Sequence, residues 1–160
     1  MRAFLAIAGL LVLASPSAAQ SVDEWITIGT RVHGGFGAFI PLGIRIGQDA
    51  LKKVDAVPRE VSVVYTDGAK APCACIADGV AIATSASVGQ RSLQIAPDKA
   101  PDGTLATITV RNKKTGRTAR YTVPDSVMPR IVEWNKLATP HERYQAIMDA
   151  DGLYVFSPAD

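Results

Sequence analysis

Two histidines and two cysteines are the only imidazole and thiol groups in this 160-residue chain. So small a supply excludes a cysteine-rich zinc ribbon, and it limits any metal centre to a mixed set of donors. Charge of one sign is equally scarce. Lys and Arg number 17 against 15 Asp and Glu, a formal net charge of +2. Their scatter leaves no basic stripe of the kind that nucleic-acid binders carry, so no nucleic-acid partner is expected. Internal repeats and low-complexity tracts are lacking. No glycine-rich stretch ends in the Gly-Lys-Ser/Thr that cradles phosphate.

Long apolar runs are also missing, apart from one at the start. Ala3 to Leu13 follow Arg2 and precede "SPSAAQ", the layout of a secretory signal peptide. The run is shorter than the roughly 20 residues of a bilayer span. We expect residues 1–19 to be a signal peptide cut after Ala19, with residues 20–160 forming one domain that leaves no membrane span. That implies a periplasmic or secreted protein in a disulfide-permissive setting. The remaining length suffices for one proper core.

Local signals divide this domain. Ser21 and Glu24 read as a capping box opening a helix near Val22 and running towards Thr30. Gly34, Gly35 and Gly37 break it, and a second helix spans about Phe39 to Lys53, with Leu42, Ile46 and Leu51 as core candidates. "EVSVVYT" alternates like a strand and "DG" turns it. The later part of "CACIADGVAIATSAS" fits a tightly packed helix. "TLATITVRN" and "RTARYTVPD", joined by "KKTG", form an antiparallel hairpin. "SVMPRIVEWNKL" reads as a helix. Another starts at Thr139, with Pro140 in first position and Glu142 completing a capping box, before a closing strand in "GLYVFSP". The predicted class is α+β, an antiparallel sheet with helices packed on one side.

Five residues offer chemistry. His33 stands in a glycine loop that permits close approach of a ligand, which suits a metal ligand or a base; a histidine at a plain helix–helix corner looks the same. His141, in the first turn of a capped helix, reads as a solvated surface residue. Cys73 and Cys75 are separated by one residue, and a disulfide between them closes a very small, awkward ring. Two thiolates at this spacing suit zinc or copper; alternatively one cysteine is a small buried hydrophobe and the other a bystander. Asp78 either caps the following helix or faces the same pocket as Cys75. A thioredoxin-like redox role lacks its Cys-x-x-Cys spacing.

Three segments in order resemble one family. "HGGFGAFIPLGIRIG" is similar to the "HGHLGPYLVLGLRMG" type of motif in FmdE-like proteins, which are related to a component of formylmethanofuran dehydrogenase. "CIADGVAIATSASVGQRSLQI" resembles that family's "CxxDGIQxxTGCTxGKxNI", and "VRNKKTGRTARYTV" its following hairpin. The likeness runs from about His33 to Val123. It implies an α+β core with a polar pocket that in several members holds a metal, often zinc. Carried over by motif, the metal ligands fall on His33, Cys75 and Asp78, with Cys73 or water as the fourth. Thr84 and Gly89 become the cofactor-binding positions. The chain departs from the pattern at Gly35, Ala86 and Gln90, where the family has histidine, cysteine and lysine.

The function expected from these readings is an exported domain that binds zinc or a small polar ligand in a pocket built from the HGGFG loop and the CACIAD segment. The alternatives are a metal-dependent enzyme, with His33 as base or ligand and Cys75 as ligand or nucleophile, and an accessory protein with a vestigial site. An exposed apolar patch would favour the last. A small molecule, a metal ion and a second copy of the chain are the candidate partners.

Overall fold

The computed structural model describes residues 20–159; the expected signal peptide lies outside them. Among the described residues the chain forms five α-helices and a five-stranded sheet. Helix α1 (Val22–His33) begins at the expected capping box, in which the Ser21 side chain accepts from the Glu24 amide and Glu24 returns to the Ser21 amide. It runs three residues past Thr30 and stops at His33 because Gly34 takes a left-handed conformation, φ +85°, with its N–H bonded to the Thr30 carbonyl. Helix α2 (Phe39–Lys53) follows and supplies the centre of the core: Ile40, Leu42, Ile44, Ile46 and Ala50 are all fully buried.

Strand β1 (Val61–Asp67) turns Val61, Val63 and Tyr65 towards the helices. Helix α3 (Cys75–Thr84) starts at Cys75, earlier than the sequence suggests. Asp78 therefore lies within its first turn and does not cap it; Ala74 is the capping residue. Strands β3 (Thr104–Asn112) and β4 (Thr118–Pro124) make the expected hairpin, paired from Thr104↔Pro124 to Arg111↔Thr118. A 3₁₀ turn at Asp125–Val127 leads into α4 (Met128–Asn135). Helix α5 (Pro140–Asp149) starts at the Thr139/Glu142 capping box, and β5 (Val155–Ala159) pairs with β4 at one edge.

The sheet order is β2-β1-β3-β4-β5. Its other edge strand, β2 (Leu93–Ile95), is parallel to β1. Three residues carry too little alternation to declare themselves as a strand, and they are ordered by pairing with β1 alone. The architecture is α+β, with a mixed sheet. One face, built from residues such as Tyr65, Ile108, Val110, Tyr121 and Val123, is buried. The opposite face carries Thr107, Thr109, Arg120 and Thr122, which are exposed or half-buried.

Helices α2 and α3 pack backbone to backbone. A Cβ on Gly43 would lie 2.1 Å from the Ile76 carbonyl oxygen, and one on Gly79 would lie 2.2 Å from that of Ile40. Only glycine fits either place. This seam fixes α3, and with it the neighbouring Asp78.

Candidate functional site

The site lies where the end of α1 meets the start of α3. His33 closes α1, Asp78 sits in the first turn of α3, and their side chains meet with Nδ1 of His33 2.7 Å from Oδ2 of Asp78. Forty-five positions separate them in the chain. An ionised carboxylate only accepts, so the bond places a proton on Nδ1 and leaves Nε2 as the outward-working nitrogen. Both side chains are partly open to solvent, at 30% and 39%. Helix polarity also suits the pair: α1 ends in unpaired carbonyls beside the imidazole, and α3 begins with unpaired N–H groups beside the carboxylate.

The glycine loop between α1 and α2 is the corner that holds His33 in place. Phe36 is buried, with its ring against Gly29, and Asn135 Oδ1 accepts from the Ala38 amide at 2.6 Å. The Arg143 guanidinium donates to the Phe36 carbonyl. The loop is thus tied to the C-terminal helices.

Beneath α3, at the end of β1, lies a polar pair that the motifs do not indicate. Tyr65 is fully buried, and its Oη, like Oδ1 of Asp67, has no partner of hydrogen-bonding geometry among the described residues. Burial above all raises the Tyr65 phenol beyond its ordinary range, helped by the Asp67 and Asp78 carboxylates nearby. The only sequence signal for this pair is "YTD", two polar-tipped residues on the inward face of one strand end.

Cys73 and Cys75 form a disulfide, with Cα atoms 5.3 Å apart. This corrects the expectation of two free thiols. Ala74, at φ −78° and ψ 30°, folds the chain back far enough to bring the Cα atoms within the ordinary disulfide range. Neither cysteine is free, and a disulfide sulfur has no thiolate charge to offer a metal.

The donor set His33, Cys75, Asp78 and Cys73 is consequently not assembled. Two of its members bind each other by a hydrogen bond and the other two by a covalent bond. Among the described residues no three or more His, Cys, Asp or Glu gather as metal ligands. Zinc, which takes four donors in its structural sites and three in its catalytic ones, does not fit this arrangement. Thr84 is also committed elsewhere. It is fully buried, its hydroxyl donating to the Val80 carbonyl and accepting from the Ala86 amide, which closes α3. Gly89 lies in an exposed turn with open space around it.

A cleft of about 480 Å³ opens beside the pair, between α1, the outer face of α3 and the loop after it. Ile28, Val32, Ile82, Val88 and Leu93 supply apolar wall, Gln20, Ser85 and Ser87 add polar groups, and Asp78 is its one charged lining residue among the described residues. His33 itself, the HGGFG glycines, both cysteines, Thr84 and Gly89 do not line it. Val32 and Val88 stay 54% and 72% exposed at its rim. His141 lies away on the surface, bonded through Nε2 to Asp23.

None of the curated proteins searched matches the chain. The family described as "FmdE, Molybdenum formylmethanofuran dehydrogenase operon" matches residues 32–151, a span that holds both His33 and Asp78 and most of the core. The chain belongs to the FmdE family.

Proposed function

We propose that this domain binds a small organic ligand in the cleft between α1 and α3, with a polar or cationic group at Asp78 and an apolar body against Ile28, Val32, Ile82 and Leu93. The observation that carries this reading is that Asp78, held by its bond to His33, is the one charged group the described residues place on a mainly apolar cleft. Ligand pockets commonly combine apolar walls with one or two placed polar groups. His33 holds the carboxylate in one orientation and keeps Nε2 free for a second hydrogen bond. Zinc forms no part of the reading, since the two sulfurs that would complete its donor set with His33 and Asp78 are joined to each other.

The test is calorimetric titration of the purified domain with a panel of small amines of increasing alkyl length. Binding that strengthens with chain length and drops at least about tenfold in Asp78→Asn is expected, the loss of one charge-assisted contact. A panel without binders, or binding indifferent to both Asp78→Asn and Val32→Glu, would sink it.

In the same proposal the domain works outside the cytoplasm. The N-terminal apolar run supports that setting, as does a disulfide between neighbouring cysteines. Sequencing the N-terminus of the protein from its native host should find Gln20 first. A second reading, a docking surface for another copy of the chain, draws on the exposed Val32 and Val88. A concentration-dependent mass in solution that Val32→Glu abolishes would favour it.

A further inference from the structure

We propose that the Cys73–Cys75 disulfide is a thiol–disulfide exchange site whose substrate is a dithiol. It stands apart from the ligand cleft, which neither cysteine lines, so either reading can fail alone.

The two sulfurs differ in the way exchange requires. Cys73 is exposed, whereas Cys75 is 7% exposed and is the first residue of α3. An incoming thiolate therefore reaches Cys73, and Cys75 is the sulfur that leaves. It leaves at the N-terminus of a ten-residue helix, where unpaired N–H groups favour a thiolate. No side chain caps the start of this helix. Helices α1 and α5 each satisfy their first turn with a Ser or Thr capping box, but α3 is preceded by Ala74, which has no side-chain acceptor. The departing sulfur is the acceptor that the first turn lacks.

Nor does the bond hold the fold together. It encloses only Ala74, so it constrains almost none of the unfolded chain. Cys75 packs in the core around α2 and the sheet as one of many buried side chains, and Cys73 lies outside it. A disulfide with one exposed cysteine that closes so small a loop is of the labile kind.

Exchange proceeds in two displacements. One thiolate of the substrate attacks Sγ of Cys73, the Cys73–Cys75 bond breaks, and a mixed disulfide forms as Cys75 departs as thiolate and takes a proton. The second substrate thiolate attacks its own partner sulfur and releases Cys73. The substrate loses two electrons as its disulfide forms, and the cysteine pair gains them as two thiols.

The experiment uses residues 20–160 in the oxidised state. Dithiothreitol, without denaturant, should release two alkylatable thiols while the circular dichroism spectrum stays folded. In Cys75→Ser the remaining Cys73 should react with Ellman's reagent at least about tenfold faster than Cys75 does in Cys73→Ser, following exposure. Reduced ribonuclease A should gain disulfides from the oxidised protein and from neither serine variant. Transfer to dithiothreitol but not to ribonuclease A would keep the proposal and assign small dithiols as the substrate. Three results would overturn it: thiols that appear only with denaturant, reduction that unfolds the domain, or a purified protein whose two cysteines are thiolates on stoichiometric zinc.

Discussion

Against α2, helix α3 packs so closely that a Cβ on its Gly79, or on Gly43 and Gly47 facing it, would clash with the other helix. Against α1, the same helix presents Asp78, Ala81 and Ile82, all half-exposed, to an open cleft. Helix α2 is buried along nearly its whole length, whereas in α1 only Trp25 and Gly29 are buried. Ten residues thus serve as a dry seam on one side and as the wall of a site on the other. The dry side gives the wet side its precision: with its backbone locked at Gly43 and Gly79, α3 can hold a solvent-facing carboxylate at a fixed point without burying it.

The seam is the place to break this arrangement hardest. Gly79→Ala drives a methyl group into the Ile40 carbonyl, and we expect a loss of roughly 3 kcal/mol, about 10 °C in Tm. Gly35→Ala, in open space at the glycine loop, should stay within about 0.5 kcal/mol. Thermal melts of the two variants decide the point, and equal losses would refute it.

Alkaline pH probes the same contrast between dry and wet. All four tyrosines, Tyr65, Tyr121, Tyr144 and Tyr154, have phenols raised above their ordinary range, burial being the leading cause in each. A raised phenol leaves stability intact below the unfolded value near 10 and erodes it as pH climbs above that, because only the unfolded chain then ionises. For Tyr65 and Tyr121, the most strongly raised, the slope should be about 1.4 kcal/mol per pH unit each. Absorbance at 295 nm should show their tyrosinate appearing together with unfolding, as one transition. Smooth ionisation near pH 10 in the folded protein would contradict this.

Reduction of the Cys73–Cys75 bond should cost about 1.5 kcal/mol or less, the chain entropy of so short a loop. Melts with and without dithiothreitol measure it, and a much larger drop would make the bond structural. Asp78→Asn should cost stability no more than about 1 kcal/mol, as befits a partly exposed pair, while removing most ligand affinity. If stability falls as far as in Gly79→Ala, the carboxylate belongs to the seam and not to the site.

Much of the scaffold was readable because its signals are local. Ser21 with Glu24 and Thr139 with Glu142 specify helix starts within four residues, and "TLATITVRN" and "RTARYTVPD" declare a hairpin by alternation and a glycine turn. His141 likewise needed only its position on a capped helix. Other features depend on partners that the sequence does not reveal. Strand β2 exists because β1 lies beside it. The disulfide depends on a backbone turn at Ala74 that ring size alone argued against. Thr84 matches a family motif yet turns its hydroxyl into the end of its own helix. Tyr65 and Asp67 are polar atoms made unusual only by burial.

By itself, then, the sequence determined the helix boundaries set by caps and glycines, the hairpin register and the family, since each rests on interactions between residues near in the chain or on the order of its motifs. Tertiary structure alone decided that His33 meets Asp78 and that the cysteines meet each other. Hydrogen bonds and sulfur–sulfur bonds form over a few ångströms, and such distances are set by how helices pack: here by two glycines, Gly43 and Gly79, that let α3 lie flush on α2 and so carry Asp78 to the end of α1.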